Sequence, residues 1–297
     1  MSIEDLKILF GEHPELAAVR KALAHNDAHV LLSGLHASAR ALALAQLRKP
    51  LLVIFDNAEA AQYIYSDLRS LESSVFFFPH SQKRRGVDEA AQIQRTECLT
   101  ALTRAEGLRV RGDGLQDPLI IVTYPEAIAE PVPAKEELTA ISFQLSVGQE
   151  VQISAVSEQL SDLGFERVDF VFQPGQYAVR GSIVDVYSYS HDDPYRLDFF
   201  GDEIDSIRTF DIEDQLSKSR VENAEIVGPS NGGNGDAALN GENGALMTDY
   251  LTDDFIWVSN DWSVVKFKLE GLRVTGYRTT ARRSNSTRRV RLRRTAE

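Results

Sequence analysis

Over the first 130 residues, short apolar runs alternate with segments patterned like helices. The runs Leu51-Leu-Val-Ile-Phe55, Val75-Phe-Phe-Phe78 and Leu119-Ile-Ile-Val-Thr123 are almost continuously apolar, as strands buried on both faces are. His29-Val-Leu-Leu-Ser33 is a shorter run of the same kind. Between the runs, helices are expected over 3–10, from Pro14 onward, over 37–47, up to about Arg69, and over 88–103. Pro14 suits the first position of its helix. Either Asp56 or Asn57 caps the one ending near Arg69. Strands interleaved with helices imply a parallel sheet covered on both faces.

After residue 140 the period changes. An amphipathic helix over 153–163 is stopped by Gly164. Strand-like segments then follow at 167–172, 177–187, 195–200 and 204–210, with tight turns between them. This predicts an antiparallel meander packed on a helix, a smaller α+β domain. Residues 228–245 are rich in Gly and Asn and read as a linker or long loop. Phe255-Ile-Trp-Val258 is one more buried strand, too late for the meander and a candidate to return to the first sheet. The expected organisation is an α/β domain over 1–140, an α+β domain over 141–228 and a linker over 229–245. A return segment over 246–266 and a basic, disordered tail over 267–297 complete it.

Charge changes this picture at one end only. The 297 residues carry 32 Lys+Arg and 44 Asp+Glu, a net charge of −12. Residues 271–297 alone hold nine arginines and one acid, leaving −20 on the rest. A body of that charge repels phosphates at long range. The tail is either a basic arm for nucleic acid or a disordered end that belongs to no domain. No window is long and apolar enough to span a bilayer. Acids stand near the start where an export signal needs bases, so a cytoplasmic location is expected. The one cysteine, Cys98, can form neither an internal disulfide nor a Cys-based zinc site, and reads as a small core residue.

One loop invites a nucleotide. A phosphate-binding loop needs Gly-x-x-x-x-Gly-Lys-[Ser/Thr] between strand and helix: glycines for backbone approach, lysine for the phosphates, a hydroxyl for magnesium. The chain has Gly34-Leu-His-Ala-Ser-Ala39-Arg40-Ala41 in that frame. Ala39 replaces the second glycine, Arg40 the lysine, and Ala41 the hydroxyl residue. This is an ordinary strand-to-helix turn or a nucleotide-binding fold that has lost its site; on either reading no ATP hydrolysis is expected. The six histidines are scattered and place no pair on one helix face, so no metal site is expected. Lys83-Arg84-Arg85 reads as a solvated basic loop.

The informative stretch is Gly175-Gln-Tyr-Ala-Val-Arg-Gly-Ser-Ile-Val-Asp-Val-Tyr187, followed by Pro194-Tyr-Arg-Leu-Asp-Phe-Phe-Gly-Asp-Glu-Ile-Asp-Ser-Ile-Arg208. Alternation puts Tyr195, Leu197 and Phe199 on one face and Arg196, Asp198 and Phe200 on the other. If 188–194 closes a hairpin, Arg180 falls opposite about Asp202 and diagonal to Phe200, with Gly181 marking a bulge. Two arginines around an exposed phenylalanine have the composition of a protein-interaction hot spot. The competing reading pairs Arg196 with Asp198 or Asp202 and makes Phe200 core.

This stretch resembles the second domain of bacterial transcription-repair coupling factors and of their relative UvrB. Tyr177 to Asp211 carries the resemblance, with Leu163-Gly-Phe-Glu-Arg-Val-Asp169 ahead of it and Val122-Thr-Tyr-Pro-Glu126 upstream. The loop at Gly34 to Ala41 looks like the family's vestigial phosphate loop, which favours the coupling factors over UvrB. The resemblance implies an α/β fold. A degenerate RecA-like or P-loop-like parallel sheet domain would carry a smaller α+β domain that binds UvrA. It puts the UvrA-binding surface on Arg180, Arg196 and Phe200, with Glu203 a weaker addition. It also implies a non-catalytic adaptor, recruiting excision repair to stalled RNA polymerase and needing no cofactor of its own. In the family, ATP and magnesium belong to motor domains, and RNA polymerase and double-stranded DNA are contacted through other domains; neither set is found in these residues. The family's UvrA surface is covered by a later domain, so constitutive binding is expected here. The alternatives are a nucleotide-dependent helicase or translocase subunit, and a nucleic-acid binder acting through the arginine-rich tail.

Overall fold

The computed structural model describes residues 2–25, 28–72, 74–81, 89–111, 118–191, 193–228, 245–274 and 289–293. Lys83-Arg84-Arg85, the Gly/Asn segment 229–244, and residues 275–288 and 294–297 of the basic tail lie outside them.

α1 (Ile3–Gly11) opens in a reciprocal cap: the Ser2 hydroxyl accepts from the Asp5 N–H at 3.1 Å, and the Ser2 N–H donates to the Asp5 carboxylate at 2.7 Å. α2 (Pro14–Ala22) begins on Pro14. There follow β1 (His29–Ser33), α3 (Ala39–Ala45), β2 (Leu51–Ile54) and α4 (Ala58–Arg69). Of the two candidate caps of α4, Asn57 is the one used; its side-chain oxygen accepts from the Ala60 N–H at 2.8 Å. β3 (Val75–Phe78), α5 (Glu89–Arg111), β4 (Ile120–Thr123) and α6 (Pro125–Ile128) come next, α5 running past the expected end at 103. Then come α7 (Lys135–Ala140), β5 (Ser142–Ser146) and α8 (Ile153–Asp162). The strands β6 (Glu166–Arg167), β7 (Gln176–Arg180), β8 (Ile183–Val186), β9 (Tyr195–Phe200), β10 (Glu203–Phe210), β11 (Ser217–Val221) and β12 (Asn223–Val227) follow. The chain closes with β13 (Ile256–Ser259), α9 (Trp262–Val274) and β14 (Arg289–Arg293).

These elements form two compact units. The first comprises Met1–His80, Ala101–Pro131 and Leu246–Glu297, the second Ser81–Thr100 and Val132–Ala245. The first is built on a six-stranded sheet of order β1-β14-β13-β2-β4-β3, parallel throughout. β2 and β4 are buried at every position, which is why their sequences are apolar without alternation. Their core includes Leu44, Val53, Phe55, Ile64, Leu68 and Val122. β13 joins this sheet beside β2.

The basic end departs from expectation. Disorder was expected from 267, yet α9 runs to Val274 and β14 pairs with both β1 and β13. The reason lies in Arg289-Val-Arg-Leu-Arg293, where Val290 and Leu292 alternate with the arginines and are buried in the sheet's core. Arg289 and Arg291 face outward, Arg291 reaching Asp261 at 3.4 Å and Arg289 lying over the Trp262 ring at 5.6 Å.

The second unit holds a six-stranded sheet of order β11-β10-β9-β8-β7-β6, antiparallel except for the β6–β7 pair, and a two-stranded sheet of β12 and β5. One face of the larger sheet presents Tyr177, Val184, Leu197, Phe199 and Ile207 to Val156 and Leu160 of α8, in one core with Leu145, Ala224 and Ile226 of the smaller sheet. Gly164, with a positive φ of 85°, ends α8 as expected.

Two expected strands are revised. The segment 167–172 is a strand only to Arg167. Beyond it the Gln176 side chain accepts from the N–H groups of Phe172 and Gln173, at 3.0 and 3.2 Å, and holds the segment away from the ladder. The segment 177–187 is two strands, β7 and β8, folded back at Gly181-Ser182. Gly181 has a φ of 63° and Gly201 one of 67°, each first in a two-residue hairpin loop, where a positive φ favours glycine.

Candidate functional site

The second unit's larger sheet has an opposite face, and its chemistry is ionic. Pairing places Asp185, Arg196, Arg208 and Arg220 directly across from one another on β8 to β11. One row nearer the two glycine turns stand Arg180, Ile183 and Asp198. Beyond them, where β9 turns into β10, Phe200 stands across from Glu203.

Asp185 is fully buried and is the centre of this face. Its two oxygens accept from Nε and Nη2 of Arg196 at 2.7 and 3.0 Å, a bidentate fork, and one of them also accepts from Nη2 of Arg180. A buried carboxylate is tolerated because both arginines neutralise it through charged hydrogen bonds. Arg196 is tied further. Its Nη1 donates to the Gln215 carbonyl at 3.1 Å, and its guanidinium lies 4.3 Å from the centre of the buried Phe210 ring. The hydrogen bonds to Asp185 raise its pKa above the usual arginine value, against the opposing effect of burial. Gln215 takes a positive φ of 61° there, a conformation its own side chain supports by donating to the Ile212 carbonyl at 3.0 Å. Arg180 is freer: its guanidinium sits 4.9 Å from the centre of the Phe170 ring, which is itself about half exposed. Phe200 is 82% exposed, the most exposed large apolar side chain of the described residues.

At the margin of this face Arg208 reaches Asp198 at 3.1 Å. Lys218 bridges Asp193 at 2.8 Å and Asp211 at 3.0 Å. Those two carboxylates raise the Lys218 pKa, Asp193 most. Asp211 is held below the usual carboxylate range, first by the Glu213 N–H and then by Lys218.

Of the expected site residues, Arg180, Arg196, Phe200 and Glu203 all lie on this one face, or at its rim. The expected contacts were different. Arg180 is on β7, two strands from β9, and is not opposite Asp202; Ile183 of β8 separates it from Asp198. Arg196 pairs with Asp185 rather than with Asp198 or Asp202, and Phe200 is exposed rather than core. Asp185, Gln215, Phe170 and Phe210 were missed. Asp185 had one signal, an acid inside the apolar run Ile183-Val-Asp-Val186.

The phosphate-loop frame is present in the first unit: Gly34 follows β1 with a φ of 79°, and α3 begins at Ala39. Its contents point elsewhere. Arg40 lies over the Phe55 ring at 5.8 Å and donates from Nε to the Ala37 carbonyl at 3.4 Å. Ala41 is buried in the core. Cys98 is buried too, and desolvation pushes its thiol pKa far up. Among the described residues no cluster of His, Cys, Asp or Glu could hold a metal ion, and no helix is long and apolar enough to cross a membrane.

Known proteins resemble parts of this chain in sequence. The family model of the UvrB interaction domain matches residues 143–231, which hold the whole arginine face. The transcription-repair-coupling factor of Bacillus subtilis (strain 168) is 28% identical over 238 residues, 77% of this chain and 19% of the relative. That of Escherichia coli (strain K12) is 44% identical over 80 residues, 27% of this chain and 7% of the relative. These matches support an N-terminal, UvrB-like module of a transcription-repair-coupling factor. UvrABC system protein B of Methanosarcina acetivorans is 31% identical over 179 residues, 56% of this chain and 26% of the relative. The chain therefore spans about a fifth of the length of the Bacillus coupling factor it matches.

Proposed function

We propose that this module is a non-catalytic adaptor in nucleotide excision repair, and that its second unit docks UvrA through Arg180, Arg196 and Phe200, with Glu203 at the rim. One observation carries the reading. A phenylalanine 82% exposed shares a sheet face with arginines anchored on a buried carboxylate. An exposed aromatic costs solubility, and arginines held in one rotamer lose little entropy on binding, so the arrangement favours a protein partner. The matched UvrB interaction domain and the coupling-factor relatives supply the choice of UvrA. A loop whose Ala41 is buried and whose Arg40 is turned onto Phe55 favours an adaptor that needs neither ATP nor magnesium.

The test is a titration of purified UvrA into the chain and into an Arg180→Ala/Phe200→Ala variant. Arg196 is left in place so that Asp185 keeps a partner. Saturable binding by the wild type, weakened about a hundredfold or more in the folded variant, is expected for two hot-spot truncations. Equal binding by both, or none by the folded wild type, rejects the proposal. Nucleotide added to either protein should produce no turnover.

A further inference from the structure

The two arginines around Asp185 are not equivalent. Arg196 makes four hydrogen bonds, two to Asp185 and two to Gln215, and lies against buried Phe210. A guanidinium has few N–H groups beyond those, so Arg196 has almost no donor left for a partner. Arg180 gives only Nη2 to Asp185, while its Nε and Nη1 donate to no described residue. Its guanidinium carbon also lies over the Phe170 ring, 4.9 Å from the ring centre. A guanidinium gripped at one corner and held over a ring has few orientations left for its open edge. Such an edge matches the two oxygens of a carboxylate.

We infer that Asp185 and Phe170 are positioning residues that hold the open edge of Arg180 for a carboxylate of the protein partner, while Arg196 serves mainly to hold Asp185. This rests on the UvrA-docking reading and narrows it: Arg196 contributes to docking through Asp185 rather than by a donor of its own. It divides the work among residues that would otherwise count as equal contacts. Phe170 is about half exposed, so its role here is one of placement rather than of core packing.

The experiment is a set of thermodynamic cycles read by calorimetric titration of UvrA into the chain, with unfolding curves confirming that each variant is folded. Asp185→Asn and Phe170→Ala are each made in the wild-type and in the Arg180→Ala background. Acting through Arg180, Asp185→Asn weakens binding by about tenfold in the wild-type background, as loss of a charged partner does, and changes it little once Arg180 is alanine. Phe170→Ala follows the same pattern with a smaller loss. Raising the salt concentration weakens the wild type more steeply than it weakens Arg180→Ala, because an ion pair is screened.

Equal losses in both backgrounds make the two residues merely structural and overturn the inference. So does a Phe170→Ala variant that binds like the wild type, or a salt dependence unchanged by Arg180→Ala. If Asp185→Asn fails to fold, the Phe170 cycle decides alone, since that side chain lies at the surface. A folded wild type that does not bind UvrA overturns the docking reading itself, and does so before any variant is compared.

Discussion

Arginine meets an aromatic ring in both units, and the outcomes are opposite. In the first turn of α3, Arg40 lies 5.8 Å from the centre of the buried Phe55 ring. No exposed large apolar side chain stands among residues 34–41. On the second unit's sheet, Arg180 and Arg196 lie over Phe170 and Phe210, but both are also bonded to a buried carboxylate, and Phe200 stands open on the same face. Residue types alone do not make an interaction surface. The arginines need a buried counter-charge to fix them, and an apolar neighbour that water must be removed from.

The largest effect expected from this difference is at Asp185. Asp185→Ala leaves two arginines without their shared partner and should cost about 3 kcal/mol, the scale of breaking a buried ion pair from one side. Arg40→Ala removes only a stacked cation and a backbone hydrogen bond and should cost under about 1 kcal/mol. Urea unfolding of both variants measures the contrast. Similar losses would erase the distinction between the two arginine sites.

Next in size is Leu292→Ala in β14. Leu292 is 3% exposed, so its truncation should cost about 2 kcal/mol or more. Arg291→Ala, on the outward face of the same strand, should stay within about 0.5 kcal/mol. If the two cost the same, the basic end is not a sheet strand, and its arginines would have to be weighed again as a nucleic-acid arm.

The smallest concerns pH. Asp211 has its pKa lowered by folding, by the Glu213 N–H and by Lys218. A depressed carboxylate contributes stability that is complete above its unfolded pKa and is lost as pH falls through the folded one. The acid limb of the stability curve should therefore be slightly shallower in Asp211→Asn than in the wild type, most visibly below about pH 4. An unchanged limb would remove Asp211 and Lys218 from the list of groups that brace the rim of this face.

Much of the candidate site was legible as a face but not as a network. Alternation alone separated Tyr195, Leu197 and Phe199 from Arg196, Asp198 and Phe200, and the burial follows that division. It could not show that the chain folds back at Gly181, so it placed Arg180 beside the wrong strand. Asp185 escaped notice because an acid among apolar neighbours resembles a solvated break in a strand. Its burial depends on two arginines, one five residues before it and one eleven residues after. β14 escaped for a related reason. Its two apolar residues are few among arginines, and they are stable in a strand only because β1 and β13 flank them.

The sequence by itself determined the kinds of element, the parallel sheet followed by a meander, the loss of the phosphate loop's lysine, second glycine and hydroxyl, and the sharing of one face by Arg196, Asp198 and Phe200. Those are local properties, set by composition, period and spacing along a few residues. Only the tertiary structure decided which strand lies beside which: Asp185 between Arg180 and Arg196, Phe210 beneath Arg196, and β14 between β1 and β13. A period of two says which side chains point the same way. Which of them meet is set by register and by pairing between distant segments, where burial of the whole face outweighs any local preference.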